Sequence, residues 1–150
     1  MTNSEVRVVL NELIQLDYDA IVTHTQAIDQ IDIAPVRDQL MVYQNDHVRH
    51  TLNLSDILRR LGEQPCQQEA GATELVTEGF VTVGSSSGTE GALKALHANE
   101  KLVNKKYRQF AALPMPTDIR AQVELNYHDE QRHLSYIEVK LSQENTASSR

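Results

Sequence analysis

The side chains able to do chemistry in this sequence are carboxylates and histidines set among apolar residues at helical spacing. Glu130-Gln131-Arg132-His133 puts a carboxylate and an imidazole three positions apart, on one face of a helix. His47 and His50 repeat that spacing upstream, and Asp17 and Glu100 stand singly within long apolar patterns. Carboxylate oxygens and neutral imidazole nitrogens are ordinary ligands of divalent cations, and imidazole also moves protons near neutral pH. Isolated carboxylates are seldom buried without partners. Acids in register with a core stripe therefore require either a cation or neighbouring bases.

Four amphipathic segments must carry these groups. Thr2 and Glu5 form a capping-box pattern that opens a helix predicted over about 4–31, with the stripe Val6, Leu10, Leu13, Ala20, Ala27 and Ile31. Pro35 suits the first turn of a second helix over about 36–61, with Val36, Leu40, Leu54, Ile57 and Leu61 inward and Gly62 as its stop. A third helix, about 89–112, carries Leu93, Leu96, Val103 and Phe110 and ends before Pro114. Thr117 caps a fourth, about 117–142, with Ile119, Val123, Ile137 and Leu141 inward; residues 143–150 read as a disordered tail. Short links make helices one and two, and three and four, antiparallel neighbours. Residues 62–88 hold most of the glycines, with room for a short helix around 73–78, and are long enough to return along the bundle. The expectation is one all-α domain, a four-helix bundle with a single long crossover between helices two and three.

The polar interruptions of the stripes share one level. They are Asp17 and His24 on helix one, and Tyr43, His47 and His50 on helix two. Helix three has Glu100 and Tyr107; helix four has Asn126, Glu130 and His133. All ten continue their stripes in register and should point inward. The two halves also repeat: matching Asp17 with Glu100 brings Leu10 onto Leu93, Leu13 onto Leu96 and His24 onto Tyr107. Matching His50 with His133 brings Val36 onto Ile119, Leu40 onto Val123, His47 onto Glu130 and Asp46–Arg49 onto Asp129–Arg132. Asp17 and His50 lie as far apart in sequence as Glu100 and His133.

In these motifs the chain resembles the ferritin-like superfamily, home of bacterioferritins and rubrerythrins, over residues 4–142. Its di-metal members use one acid on each of two helices and Glu-x-x-His on the other two. Glu130 to His133 matches that motif in full, Glu100 matches the single acid of helix three, and Asp17 is a shorter acid at the place on helix one. The departure is His47, where the family carries a glutamate, often bridging two metals. Asp46 does not replace it, because one residue turns about 100° around a helix. The resemblance implies a metal set of Asp17, His47, His50, Glu100, Glu130 and His133. It would hold one or two iron ions and act as a ferroxidase-like oxidoreductase on Fe(II) or peroxide. The added nitrogen also suits zinc or another late metal, with manganese a further option. His24 reads as a core histidine or a hydrogen-bond partner of a ligand. The alternative is a non-catalytic interaction or assembly module whose polar layer fixes register.

Composition narrows the classes. A net charge of −7 without a Lys/Arg run argues against nucleic-acid binding. No stretch approaches a membrane span, and the N-terminal residues lack the pattern of a signal peptide. Cys66, the single cysteine, excludes an intramolecular disulfide and has no motif around it. His97, His128 and the pairs Arg59/Arg60 and Lys105/Lys106 read as solvated. A cytoplasmic homodimer is expected, the segment after about Ser142 being too short for an extra cage-forming helix.

Overall fold

Thr2 closes the capping box as expected: its Oγ1 accepts from Glu5 N at 3.2 Å, and its own N donates to the Glu5 carboxylate at 2.7 Å. Two of the orphan donors at a helix start are thereby satisfied. In the computed structural model, which describes residues 1–67 and 88–148, this opens α1 (Asn3–Gln30). The others are α2 (Ala34–Arg60), α3 (Gly88–Ala111) and α4 (Thr117–Ser148), and the described residues hold no strand. Pro35 sits in the first turn of α2. The end of α2 is a Schellman turn: Gly62 N donates to Arg59 O at 3.0 Å and Glu63 N to Leu58 O at 2.8 Å, with Gly62 at φ +75°.

Contacts between helices fix their directions. Asp17 of α1 meets His47 of α2, while Asn11 meets Gln64, so α1 and α2 are antiparallel. Asp32 N bonds Thr89 Oγ1 at one end of α1, and Lys106 pairs with Glu12 near the other, so α1 and α3 are antiparallel too. Hence α2 and α3 run parallel. Against α2, α4 is antiparallel, with Asn53 on Asn126 and Asp46 on His133. The expected crossover that joins the parallel pair, with its short helix around 73–78, falls largely on 68–87, outside the described residues.

The core is in two pieces. Val6, Leu10, Leu13, Ile14, Leu54, Leu58, Val103, Phe110 and Val123 belong to one. Ala27, Ile31, Val36, Leu40, Leu93, Leu96 and Ile137 form the other. Between them the stripes turn polar. Of the ten interrupting residues, nine are buried; Tyr43 is half-buried, packed at the edge of the second piece against Tyr136.

Two expectations about α4 need correction. Thr117 lies inside its first turn, and the carbonyl of Pro116 accepts from Arg120 N at 2.9 Å, so Pro116 holds the cap position. The helix also runs on to Ser148 through residues expected as tail. No glycine or proline interrupts it after Pro116, and Thr146 Oγ1 donates to the Ser142 carbonyl at 3.0 Å.

Gly62→Ala should lower stability by about 1–2 kcal/mol in urea unfolding, because an L residue is strained in the left-handed region. Nothing lies within 4 Å of the added Cβ, so the loss reports strain and not a clash. An unchanged midpoint would refute the role given to this turn.

Candidate metal centre

At mid-bundle every element delivers one or two polar groups. From α1 comes Asp17, from α2 His47 and His50, from α3 Glu100, and from α4 Glu130 and His133; all six are 0% exposed. The donors fall into two overlapping sets whose ligand atoms lie within 4.8 Å of one another. One is Asp17, His47, His50 and Glu130; the other is His47, Glu100, Glu130 and His133. All six residues expected as ligands are therefore brought together. The repeat between the halves maps one set onto the other, with His47 and Glu130 exchanging places.

In the first set the donors alternate N, O, N, O. His47 Nδ1 is 2.8 Å from Asp17 Oδ1 and 3.3 Å from Glu130 Oε1; His50 Nδ1 is 3.2 Å and 2.9 Å from the same two oxygens. In the second, His47 Nε2 lies 2.9 Å from Glu100 Oε1. His133 Nδ1 lies 3.6 Å from that oxygen and 3.2 Å from Glu130 Oε2. Two donors on one ion at its usual bond length stand roughly 2.8–3.7 Å apart. Hydrogen bonds can have the same spacing, so proton count decides between them.

Two residues that sequence reasoning left out of the site fix that count. Asp129 accepts from His50 Nε2 at 2.8 Å and Asp46 accepts from His133 Nε2 at 2.9 Å, each carboxylate reaching the histidine of the other half. A neutral imidazole has one N–H, and each of these rings spends it outward. Their inner nitrogens then present lone pairs to carboxylate oxygens. His133 Nδ1, Glu100 Oε2 and Glu130 Oε2 form no hydrogen bond among the described residues. A proton or a cation must lie between such groups. Arg49 holds the outer pair by donating to Asp46 at 2.8 Å and Asp129 at 3.0 Å, and Arg132 also donates to Asp129. The signal in the sequence was the repeat of Asp46–Arg49 in Asp129–Arg132. Pairing across the halves was invisible because it depends on the packing of α2 on α4.

Below the acids, Tyr107 Oη donates to Asp17 Oδ2 at 2.5 Å, leaving Asp17 Oδ1 turned to the histidines. Burial and the charges of Asp17 and Glu130 hold this phenol well above its usual range, so it remains a donor. Its counterpart, His24, gives its Nδ1 proton to the Ala20 carbonyl at 2.7 Å and turns a bare Nε2 to Glu100 at 3.8 Å. Burial, with His47 nearby, lowers it to about 3, so it is neutral. Asn104 bonds the backbone carbonyls of Glu100 and Glu130, tying α3 to α4 at this level.

Without metal, protons fill the gaps. Burial opposes charge on His50, but Asp17, Asp129 and Glu130 outweigh it and lift it to about 11; Asp46, Glu100 and Glu130 lift His133 to about 10 in the same way. Burial likewise opposes charge on Asp17, which His50 and His47 nonetheless bring down to about 2.

Among the described residues no helix is long and apolar enough to cross a membrane. His128 is exposed and His97 half-buried at the surface. No model of a known protein family matches the chain, and no curated protein matches it.

These shifts set a pH dependence for the metal-free protein. The contribution of His50 and His133 is complete below the unfolded value of 6.5 and is lost as pH rises through about 10 and 11, whereas that of His24, held neutral, is complete above 6.5 and lost as pH falls toward about 3. That of Asp17 is complete above 3.8 and lost as pH falls through about 2. Thermal unfolding of chelator-treated protein should show greatest stability between these limits, in the mildly acidic range, and decline as the medium turns alkaline. A stability that climbs steadily from pH 6 to 9 without metal would contradict this protonation pattern.

Proposed function

We propose that this chain is a ferritin-like metal protein that holds iron, one ion or two, in the layer formed by Asp17, His47, His50, Glu100, Glu130 and His133. The observation that carries it is His133. Its outer nitrogen is committed to Asp46, while its inner nitrogen faces Glu100 and Glu130 with no hydrogen bond made. Buried polar atoms left unpaired cost about 1–3 kcal/mol each, and a cation relieves several at once. The donor chemistry fits: three carboxylates and three imidazoles, with histidines oriented from outside by carboxylates as metal-binding histidines generally are.

Iron held there would supply one-electron chemistry between Fe(II) and Fe(III). The chain's own residues would keep bulk water out, because the two apolar core pieces close the layer from both ends. Tyr107 would keep Asp17 oriented, and the Asp46–Arg49–Asp129–Arg132 cluster would keep the histidines oriented. The parallel course of α2 and α3 supports the ferritin-like reading, since one long connection is what that topology needs.

A second reading has its own observation. With its imidazoles protonated, the layer is nearly neutral and His47 bonds carboxylates at both nitrogens. Such a layer can serve only to fix helix register in an assembly module. Metal content separates the two.

Protein purified under mild conditions should carry stoichiometric transition metal, iron foremost, by mass spectrometry. Glu130→Ala or His133→Ala should remove it while helical circular dichroism persists. Asp46→Asn or Asp129→Asn should weaken affinity by about 10–100-fold, as loss of an orienting carboxylate does elsewhere. Protein without metal, unable to take up Fe(II) and no less stable after Glu130→Ala, would leave the register reading in its place.

A further inference from the structure

His47 stands where a glutamate bridge is expected, yet it does not sit to one side of the layer. Its two ring nitrogens face different half-sites. Nδ1 joins Asp17 Oδ1 at 2.8 Å and Glu130 Oε1 at 3.3 Å, among the donors shared with His50. Nε2 joins Glu100 Oε1 at 2.9 Å, the oxygen that His133 Nδ1 also approaches at 3.6 Å. Glu130 spans the same two half-sites with its two oxygens: Oε1 lies 2.9 Å from His50 Nδ1 and Oε2 lies 3.2 Å from His133 Nδ1. The internal repeat places His47 and Glu130 at equivalent positions, so the two spanning residues form one symmetric pair.

A histidine that binds one ion turns its second nitrogen outward to a hydrogen-bond acceptor, as His50 and His133 do. Among the described residues His47 has no such outer acceptor. Both its nitrogens are spent on interior carboxylates, and it is 0% exposed. A neutral ring can donate only one N–H, so one of these contacts needs a second proton or a cation. No arrangement of a single ion uses both nitrogens, because they point away from each other across the ring.

From this geometry we propose that the centre is dinuclear and that His47 bridges its two metal ions as imidazolate, Nδ1 on one and Nε2 on the other, with Glu130 as the second bridge. The proposal rests on the metal-binding reading above and goes further by assigning stoichiometry and bridge. Both ring protons of His47 leave to the buffer as the two nitrogen–metal bonds form; no electron moves. Asp17 and His50 complete one half-site, Glu100 and His133 the other. The diverging lone pairs of an imidazole set the ions differently from two carboxylate bridges, and couple their unpaired electrons through the ring.

Copper(II) is a suitable probe, because each ion carries one unpaired spin. The chelator-treated full-length chain would be titrated with Cu(II), freed of loosely held ion by gel filtration, and examined by metal analysis and electron paramagnetic resonance. The expected result is two ions per chain with a low-temperature signal well below the copper content, the spins being paired through the bridge. In His47→Ala only the Glu130 bridge is left, so the coupling should weaken and the signal per bound copper should rise. Because His47→Ala removes a buried group and can destabilise the bundle, His47→Glu is the companion variant: it restores a carboxylate bridge, and should keep two ions but change the strength of coupling. One ion per chain, two uncoupled ions in the unaltered protein, or identical coupling in His47→Glu would overturn the bridge while leaving metal binding intact. Failure to bind copper at all would overturn the metal reading and the bridge with it.

Discussion

Asp17, Glu100 and Glu130 lie wholly inside this bundle, on three different helices, at the point where an ordinary core would place leucine or valine. A single buried, unpaired carboxylate is costly enough that it would neutralise itself or unfold its surroundings. Asp17, Glu100 and Glu130 persist because each is met by imidazole nitrogen within hydrogen-bonding distance. Much else follows from that requirement. Four helices must reach one level, so the connections set two antiparallel pairs with α2 and α3 parallel. The apolar core splits into two pieces that seal the layer above and below. The histidines in turn need orientation, which Asp46 and Asp129 supply from the flank.

The internal repeat explains how one sequence meets so many constraints together. Half-sites related by it use the same backbone positions, and small differences in residue type divide the roles. Tyr107 donates to Asp17, whereas its equivalent, His24, turns a bare nitrogen toward Glu100. Glu130 brings two oxygens to the centre, whereas its equivalent, His47, brings two nitrogens. On the proposed reading, these exchanges make the two metal positions alike in layout and unlike in charge and basicity.

Much of this was legible in the sequence because it is written in period. The stripes of α1 and α3, interrupted at Asp17, His24, Glu100 and Tyr107, gave helix, register and inward direction at once, and the matching spacing of Asp17–His50 and Glu100–His133 gave their common height. Local chemistry was as readable: the Thr2–Glu5 box and Gly62 act through neighbours in the chain. What stayed hidden depends on packing between helices. Asp46 falls off the inward stripe, and only the approach of α2 to α4 lets it reach His133. Likewise, the two-sided contact of His47 follows from ring orientation, which periodicity does not encode. The end of α4 was misjudged because polar composition was taken for disorder, although nothing in that stretch breaks a helix.

The central claim is that the buried carboxylate–imidazole layer is a metal centre. X-ray absorption at the metal edge of the iron-loaded protein tests it most directly, because scattering from imidazole rings has a signature of its own. The account predicts a first shell of nitrogen and oxygen at about 2.0–2.3 Å, with ring scattering from histidine that diminishes in His133→Ala. A shell of water oxygens without imidazole scattering, or one containing sulfur from Cys66, would contradict it.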